Sequence, residues 1–355
     1  MAQYSFHLRR PIWRYLASAI AIIVAINLLF YRVGPALQYT LWRRPHPALR
    51  NHNSRQPSKE AASLSVNLIV ASVYRDDTSW LDNLNIPNLQ VLRYVSDDTS
   101  AQNRPPAPKG REALMYMTYL YNNYDNLADV NIFIHAEETP WHVEGTLLRN
   151  TTFALSQLDL QQVIKRGYFN LRVTWRAACP AWIDTSKTFD NYDKAEEPYM
   201  KEAWKSNFGD DPLPDKLGGP CCSQFAVSKD AIRSRPREQY RDSAAWLVHT
   251  PWRDHIAGRV WEHMWPWLFK KETKDCAPER SSLCQMYSLC FQSDRELDDY
   301  KELWEERERL KTSMSFFRAV WSPQTAAAAR QKMDLVDDQI EEKLQEVYDR
   351  GKTAA

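Results

Sequence analysis

Glycine is scarce in this 355-residue chain, nine in all, or about 2.5% where ~7% is usual. None of the nine stands in G-x-G-x-x-G, G-x-x-x-x-G-K or G-x-S-x-G. The standard dinucleotide fold, the P-loop and the esterase elbow are thereby excluded as simple readings. No H-E-x-x-H occurs either, which excludes a zincin. An excess of basic charge is also missing. Lys and Arg number 46 against 45 Asp and Glu, and nine of the basic residues but only Glu60 of the acidic ones fall in the first 64 positions. Residues 65–355 therefore hold 37 basic against 44 acidic side chains. A main domain with that balance offers no basic nucleic-acid footprint.

Long apolar runs are rare, and the clearest decides where the chain is expected to live. From Tyr15 to Tyr31 there is no charged side chain, and Arg14 and Arg32 bound the run. Seventeen residues at ~1.5 Å per residue is the short limit for a spanning helix. Trp13, Tyr15 and Tyr31 sit where interfacial anchors are expected, and Arg9, Arg10 and Arg14 favour a cytosolic N-terminus. Arg32, Arg43, Arg44 and Arg50 weigh on the other side. A cleaved signal peptide is the alternative, but no small-x-small site follows the run, so an uncleaved signal anchor is preferred. Arg43 to Ser63 is rich in Pro, Asn, Arg and Ser and lacks apolar periodicity, so residues 32–64 read as a flexible stem. The expected order is a cytosolic tail over 1–14, a span over 15–31, the stem, an α/β domain over 65–291 and a charged helical extension over 292–355. Such a chain is a single-pass type II protein of the Golgi or endoplasmic reticulum membrane with its main domain lumenal. The sequon at Asn150 suits that side as a glycosylation site. The six cysteines fit an oxidising lumen and permit fifteen pairings, with Cys276, Cys284 and Cys290 close enough to staple a loop. Reduced, buried cysteines are the alternative.

The run Val66 to Val73 is continuously aliphatic and β-branched, the pattern of a strand buried on both faces of a mostly parallel sheet. A second strand is expected over Gln90 to Val95 and a third over Val130 to His135. Between them, Leu114, Met117, Tyr121 and Tyr124 recur at helical spacing from Glu112 to Tyr124. The fold class is therefore α/β. Open sheets of this class bind ligands beyond the carboxyl ends of their strands. Asp76, Asp77, Asp97, Asp98, His135, Glu137 and Glu138 all fall there.

Clustered carboxylates at strand ends suit a hard divalent cation, Mn2+ or Mg2+, bridging a diphosphate. The bland alternative is that such acids punctuate turns and cap helices. Lys109 and Arg111, at a helix start, are candidates for phosphate oxygens. Pro220-Cys221-Cys222 with His135-Ala136-Glu137 faintly matches a zinc deaminase, but Gln224 stands where the second cysteine is required. A short apolar strand near Phe225 is followed by a helix from Lys229. Farther on, Arg259, Glu262 and His263 fall within one helical turn. Arg259 and Glu262 either pair with each other at i and i+3 or leave Glu262 facing a pocket as a general base.

The ordered segments Val70-Ala71-Ser72-Val73-Tyr74, Lys109-Gly110-Arg111-Glu112-Ala113, Asn123-Tyr124-Asp125-Asn126-Leu127, Phe133-Ile134-His135 with Trp141-His142, Cys221-Cys222-Ser223-Gln224-Phe225 and Gly258-Arg259-Val260-Trp261-Glu262 resemble a fungal family known as domain of unknown function 3431. That family looks like nucleotide-sugar transferases of the GT-A type. Its K-G-R-E helix before a strand ending in His is similar to segments of rhamnan-type polysaccharide glycosyltransferases. The resemblance implies a GT-A-like sheet and a sugar transferred from a nucleotide diphosphate donor. Under it, Asp76, Asp77, Asp97, Asp98, Lys109 and Arg111 serve the nucleotide and diphosphate, and Asp98 and Glu137 are metal ligands. His135, Glu137 and Glu138 sit at the reaction centre, with Glu262 as base. His135-Ala136-Glu137 replaces the D-x-D of that fold type. Two rivals are a non-catalytic membrane scaffold and a tailoring enzyme of a fungal biosynthetic pathway. After Cys290, residues 294–311 and 324–350 read as a charged helical hairpin broken at Ser322-Pro323, a surface for packing, self-association or partner binding.

Overall fold

The computed structural model describes residues 60–176, 178–189, 192–314 and 323–354, with residues 18, 20–23 and 26. The expected tail, span and stem over residues 1–64 lie almost wholly outside them. Among the described residues no helix is long and apolar enough to cross a membrane.

A five-stranded sheet forms the centre, built from β1 (Val66–Ser72), β2 (Leu89–Val95), β3 (Val130–His135), β4 (Tyr168–Asn170) and β7 (Phe225–Ser228). Two short strands, β5 (Ile183–Asp184) and β6 (Lys216–Leu217), pair separately. The sheet order is β2-β1-β3-β7-β4. β1 runs parallel to β2 and to β3, whereas β7 is antiparallel to both β3 and β4. The α/β class with a mostly parallel sheet is thus borne out, with β7 the reversed strand. All seven residues of β1 are buried, as its unbroken aliphatic run requires.

The helices are α1 (Arg111–Asn122), α2 (Thr151–Gln157), α3 (Leu160–Arg166), α4 (Met200–Phe208), α5 (Lys229–Arg233), α6 (Arg237–His249), α7 (Asp254–Lys270), α8 (Glu279–Tyr287), α9 (Asp294–Ser313) and α10 (Pro323–Ala354). α1 buries Leu114, Met117 and Leu120 against the sheet. Tyr116 meets Phe133 at 5.0 Å and Phe225 at 5.8 Å, ring centre to ring centre. A buried polar chain fixes the helix to the strands, since Asn67 Nδ2 donates to Tyr119 Oη at 2.8 Å and that hydroxyl donates to Asn131 Oδ1 at 2.5 Å. Satisfied networks of this kind specify one packing arrangement.

The described residues divide into two compact units, one of residues 60–304 with 342–354 and one that includes residues 305–314 and 323–341. The first holds the sheet. In the second, α9 and α10 are joined by Arg307–Asp337 at 2.6 Å and by Lys332–Glu306. The six cysteines form Cys179–Cys276, Cys221–Cys222 and Cys284–Cys290, so the last pair does close a local loop.

Candidate functional site

Strand order changes direction at β1, with β2 on one side and β3 on the other. Ligand crevices of open α/β sheets lie at such points, outside the carboxyl ends. A cavity of about 1020 Å³ sits there, lined by Ala71 and Ser72 of β1 and His135 of β3. The start of α1, the loop before β7 and the first turns of α7 close its other sides.

Two glycines make that closure possible. Gly110 has φ +70°, and a Cβ on it would lie 3.1–3.3 Å from Leu247 and Leu114. Only glycine takes this conformation without strain, and the turn it makes delivers Arg111 and Glu112 to the cavity wall. A Cβ on Gly258 would meet the Arg111 side chain at 3.2–3.6 Å. The bare backbone of α7 is therefore the bed on which the Arg111 stem lies.

Two carboxyl groups face the cavity side by side. Glu262 Oε2 accepts from the Cys222 N–H at 3.0 Å. Burial, and then the neighbouring Glu112, push its pKa up to about 7. Burial raises the Glu112 carboxyl as well, opposed by Arg111 and by a hydrogen bond with Ser223. The Ser223 hydroxyl also accepts from Trp265 Nε1 at 3.0 Å. Cys222 and Ser223 both have positive φ, 94° and 49°, so the loop is held in a costly backbone shape that aims the Cys222 N–H at Glu262. Glu112 was not assigned a role from sequence, although its place in Lys109-Gly110-Arg111-Glu112 marked it.

His135 and His142 meet through their Nδ1 atoms at 3.2 Å. Burial, and then Arg111, lower the His135 pKa to about 4. Burial, His135 and Arg172 lower that of His142 to about 3. Both rings are therefore neutral near pH 7, and one nitrogen of the Nδ1 contact donates while the other accepts. The His135 backbone N–H donates to Gln224 Oε1 at 3.1 Å, which locks β3 to the Cys-Cys-Ser-Gln loop.

Residues 68–285, more than half of the chain, match the family described as "Protein of unknown function (DUF3431)". The chain belongs to that family. No curated protein and no solved structure matches the chain. All six of the segments quoted above fall within the DUF3431 match, and five of them line one cavity: Ala71 to Val73, Lys109 with Arg111 and Glu112, His135 with Trp141 and His142, Cys221 with Cys222, and Arg259 with Glu262.

The remaining site expectations divide in the DUF3431 domain. Arg111, His135 and Glu262 line the cavity, as do Asp76 and Lys109. The Lys109 ammonium, however, donates to the carbonyls of Val248, at 3.1 Å, and Thr250. Asp76 Oδ2 accepts from the Val73 N–H at 2.8 Å, and Arg93 gathers the carbonyls of Val73, Tyr74 and Asp76. The loop leaving β1 is thus rigidly shaped. Asp97 accepts from the Tyr74 N–H at 2.6 Å. Asp77 and Asp98 each take both the N–H and the hydroxyl of the serine two residues on, Ser79 and Ser100, at 2.7–3.0 Å. Asp184 does the same with Ser186. All three stand in Asp-Thr-Ser, a turn-forming triplet.

Glu137 is exposed and Glu138 turns toward Thr152, whose hydroxyl lies 3.3 Å from Oε1. Neither lines the cavity, nor does Asp98. The carboxylates expected to hold Mn2+ or Mg2+, Asp98 and Glu137, both lie outside the cavity lining. Asn150 is 6% exposed and caps α2, its Oδ1 accepting from the Phe153 N–H at 2.6 Å.

Arg259 settles the alternative left open for α7. It does not pair with Glu262 along the helix. It pairs with Glu196 Oε2 at 3.0 Å, and His263 Nε2 lies 2.9 Å from Glu196 Oε1. Glu262 is left to the cavity. Arg149, Arg172 and Arg176 add cationic groups to the wall, and Trp141 and Trp182 add aromatic ones. Sequence reasoning gave none of the three arginines a role.

Proposed function

We propose that this DUF3431 protein is a glycosyltransferase of the secretory pathway that takes a sugar from a nucleotide diphosphate donor. The observation that carries the reading is the Glu112–Glu262 carboxyl pair, raised in pKa and facing a cavity it shares with Arg111 and Arg172. Such a cavity can hold an anionic leaving group on one wall and remove a proton at the other.

In the proposed reaction an acceptor hydroxyl attacks the anomeric carbon of the donor sugar. The bond from that carbon to the diphosphate oxygen breaks, and the nucleoside diphosphate departs with the bonding electrons. The hydroxyl proton passes to the ionised Glu262, and the acceptor oxygen keeps the new bond. Guanidinium groups meet the charge that builds on the leaving diphosphate. The neutral His135–His142 pair supplies hydrogen-bonding nitrogens without further positive charge.

Location in the Golgi or endoplasmic reticulum, with the domain lumenal on a type II anchor, belongs to the same proposal. The three disulfides support it, because such bonds persist in oxidising compartments. The Tyr15–Tyr31 run supports the anchor.

The pH dependence tests the assignment of the base. A carboxyl with pKa about 7 is protonated below that value and cannot accept the proton. Nucleoside diphosphate release in a steady-state assay should fall about tenfold per pH unit below 7 and level off above it. A rate that stays flat between pH 5 and 8 would remove Glu262 from the role.

A further inference from the structure

Arg172 is the most unusual cation in the cavity. It is half-buried, and burial lowers the pKa of its guanidinium. Among the described residues it makes no ion pair within 4.0 Å. Its side chain touches Cys221 Sγ and Cys222 Sγ through Nη1, at 3.3 and 3.5 Å. Its guanidinium carbon lies 5.5 Å from the ring centre of Trp141. That indole is 61% exposed at the cavity mouth.

The charge around Arg172 is not balanced locally. Glu144 acts on it favourably from a distance. That carboxyl is itself pushed by burial up to about 7, so it is only partly ionised at neutral pH. Arg149 and Arg176 act in the opposite sense, and both line the same cavity. Arg149 reaches it from a backbone with two successive left-handed residues, Leu148 at φ 59° and Arg149 at φ 47°. Residues other than glycine rarely adopt that conformation. Three guanidinium groups thus line the same cavity, a donor set that suits a bound anion.

From this juxtaposition we infer that Arg172, with Arg149 and Arg176, forms a guanidinium clamp for the diphosphate of the ligand and binds it without a bridging divalent cation. The chemistry fits the geometry. A guanidinium stacked against an aromatic face keeps its in-plane N–H groups for a second partner, and its planar fork matches two phosphate oxygens. Trp141 then both holds the fork and offers its exposed face to the ring system attached to the phosphates. With Asp98 and Glu137 outside the cavity lining, the diphosphate charge is met by the guanidinium groups. The inference rests on the transferase reading only for the source of the diphosphate.

The test uses the full-length protein in detergent and inorganic pyrophosphate as the probe, titrated calorimetrically in EDTA. Wild type should bind. Arg172→Gln should weaken binding about ten- to a hundredfold, the usual effect of losing a charged two-point hydrogen bond. Arg172→Lys should fall between, since it restores charge but not the fork. Arg75→Gln, on an exposed residue outside the cavity, should bind as wild type does. Unchanged affinity in Arg172→Gln, or binding that appears only when a divalent cation is added, overturns the clamp. Should Arg172→Gln fail to fold, phenylglyoxal labelling of wild type decides. Pyrophosphate should protect Arg172, and equal labelling with and without it overturns the inference. Arg172-dependent pyrophosphate binding in a protein that turns over no nucleotide sugar would leave the clamp standing and sink the transferase reading instead.

Discussion

Replacing Glu262 with Gln should lower kcat by about 10²–10⁴-fold, the range of a lost general base, while making the fold more stable. The two effects have one cause. The α/β domain holds Glu262 in a place that disfavours its ionised form, through burial and the adjacent Glu112, with pKa about 7. Its ordinary value is 4.5, so the unfolded chain loses the proton first. As pH rises from 4.5 to 7, the folded state holds a proton that the unfolded state has released, and stability declines across that window. At pH 8 the ionised carboxylate costs up to about 3 kcal/mol, from ~1.4 kcal/mol per pKa unit. Gln is neutral, retains an acceptor for the Cys222 N–H and avoids that cost. The variant should therefore show a melting temperature several degrees above wild type at pH 8 and no difference at pH 4. Lost activity with lowered stability at both pH values would show that Glu262 is a structural residue.

A second large effect is expected at Glu196. Its side chain is wholly buried between Arg259 and His263, whereas Arg259 is 31% and His263 9% exposed. Removing one member of a buried ion pair strands the others, at a cost of about 3–5 kcal/mol. Glu196→Ala should lose that much in urea denaturation at pH 7. Hydrogen bonding and charge from His263, with Arg259, lower the Glu196 pKa despite the opposing effect of burial. Its contribution is fully present above the ordinary carboxylate range and is lost as pH falls through and below it. The gap between wild type and variant should thus close in acid. A gap that persists unchanged at pH 3 would mean that cavity formation, not charge, is what the substitution measures.

Much of the frame was legible because it is locally encoded. Val66 to Val73 could only be a strand buried on both faces, and the helical spacing of Leu114 and Met117 located α1 to within two residues at either end. The reversed direction of β7 was not legible, since strand direction depends on pairing with β3 across about 95 intervening positions. The three-residue β4 is too short to carry a period.

The site divides along the same line. Glu262 and His135 were marked by position on their elements. At the acidic strand ends, a carboxylate turned back onto its own backbone looks, in sequence, like one turned toward a ligand. A local signal did distinguish Asp77 and Asp98, namely the serine two residues on. No comparable signal marks Arg172, which reaches the cavity through the Cys221–Cys222 loop some 49 positions later. Nor could spacing show that Arg259 would choose the distant Glu196 over its helical neighbour.

The most direct test of the central claim is the thermal unfolding of the full-length protein against UDP-, GDP- and CDP-sugars. A ligand that binds only the native state at a hundred times its dissociation constant adds about 2.7 kcal/mol. One nucleotide class should raise the melting temperature by several degrees, with its free nucleoside diphosphate retaining most of the shift. No shift with any donor or nucleoside diphosphate at millimolar concentration would contradict the account and favour a scaffold that keeps the sheet without its chemistry.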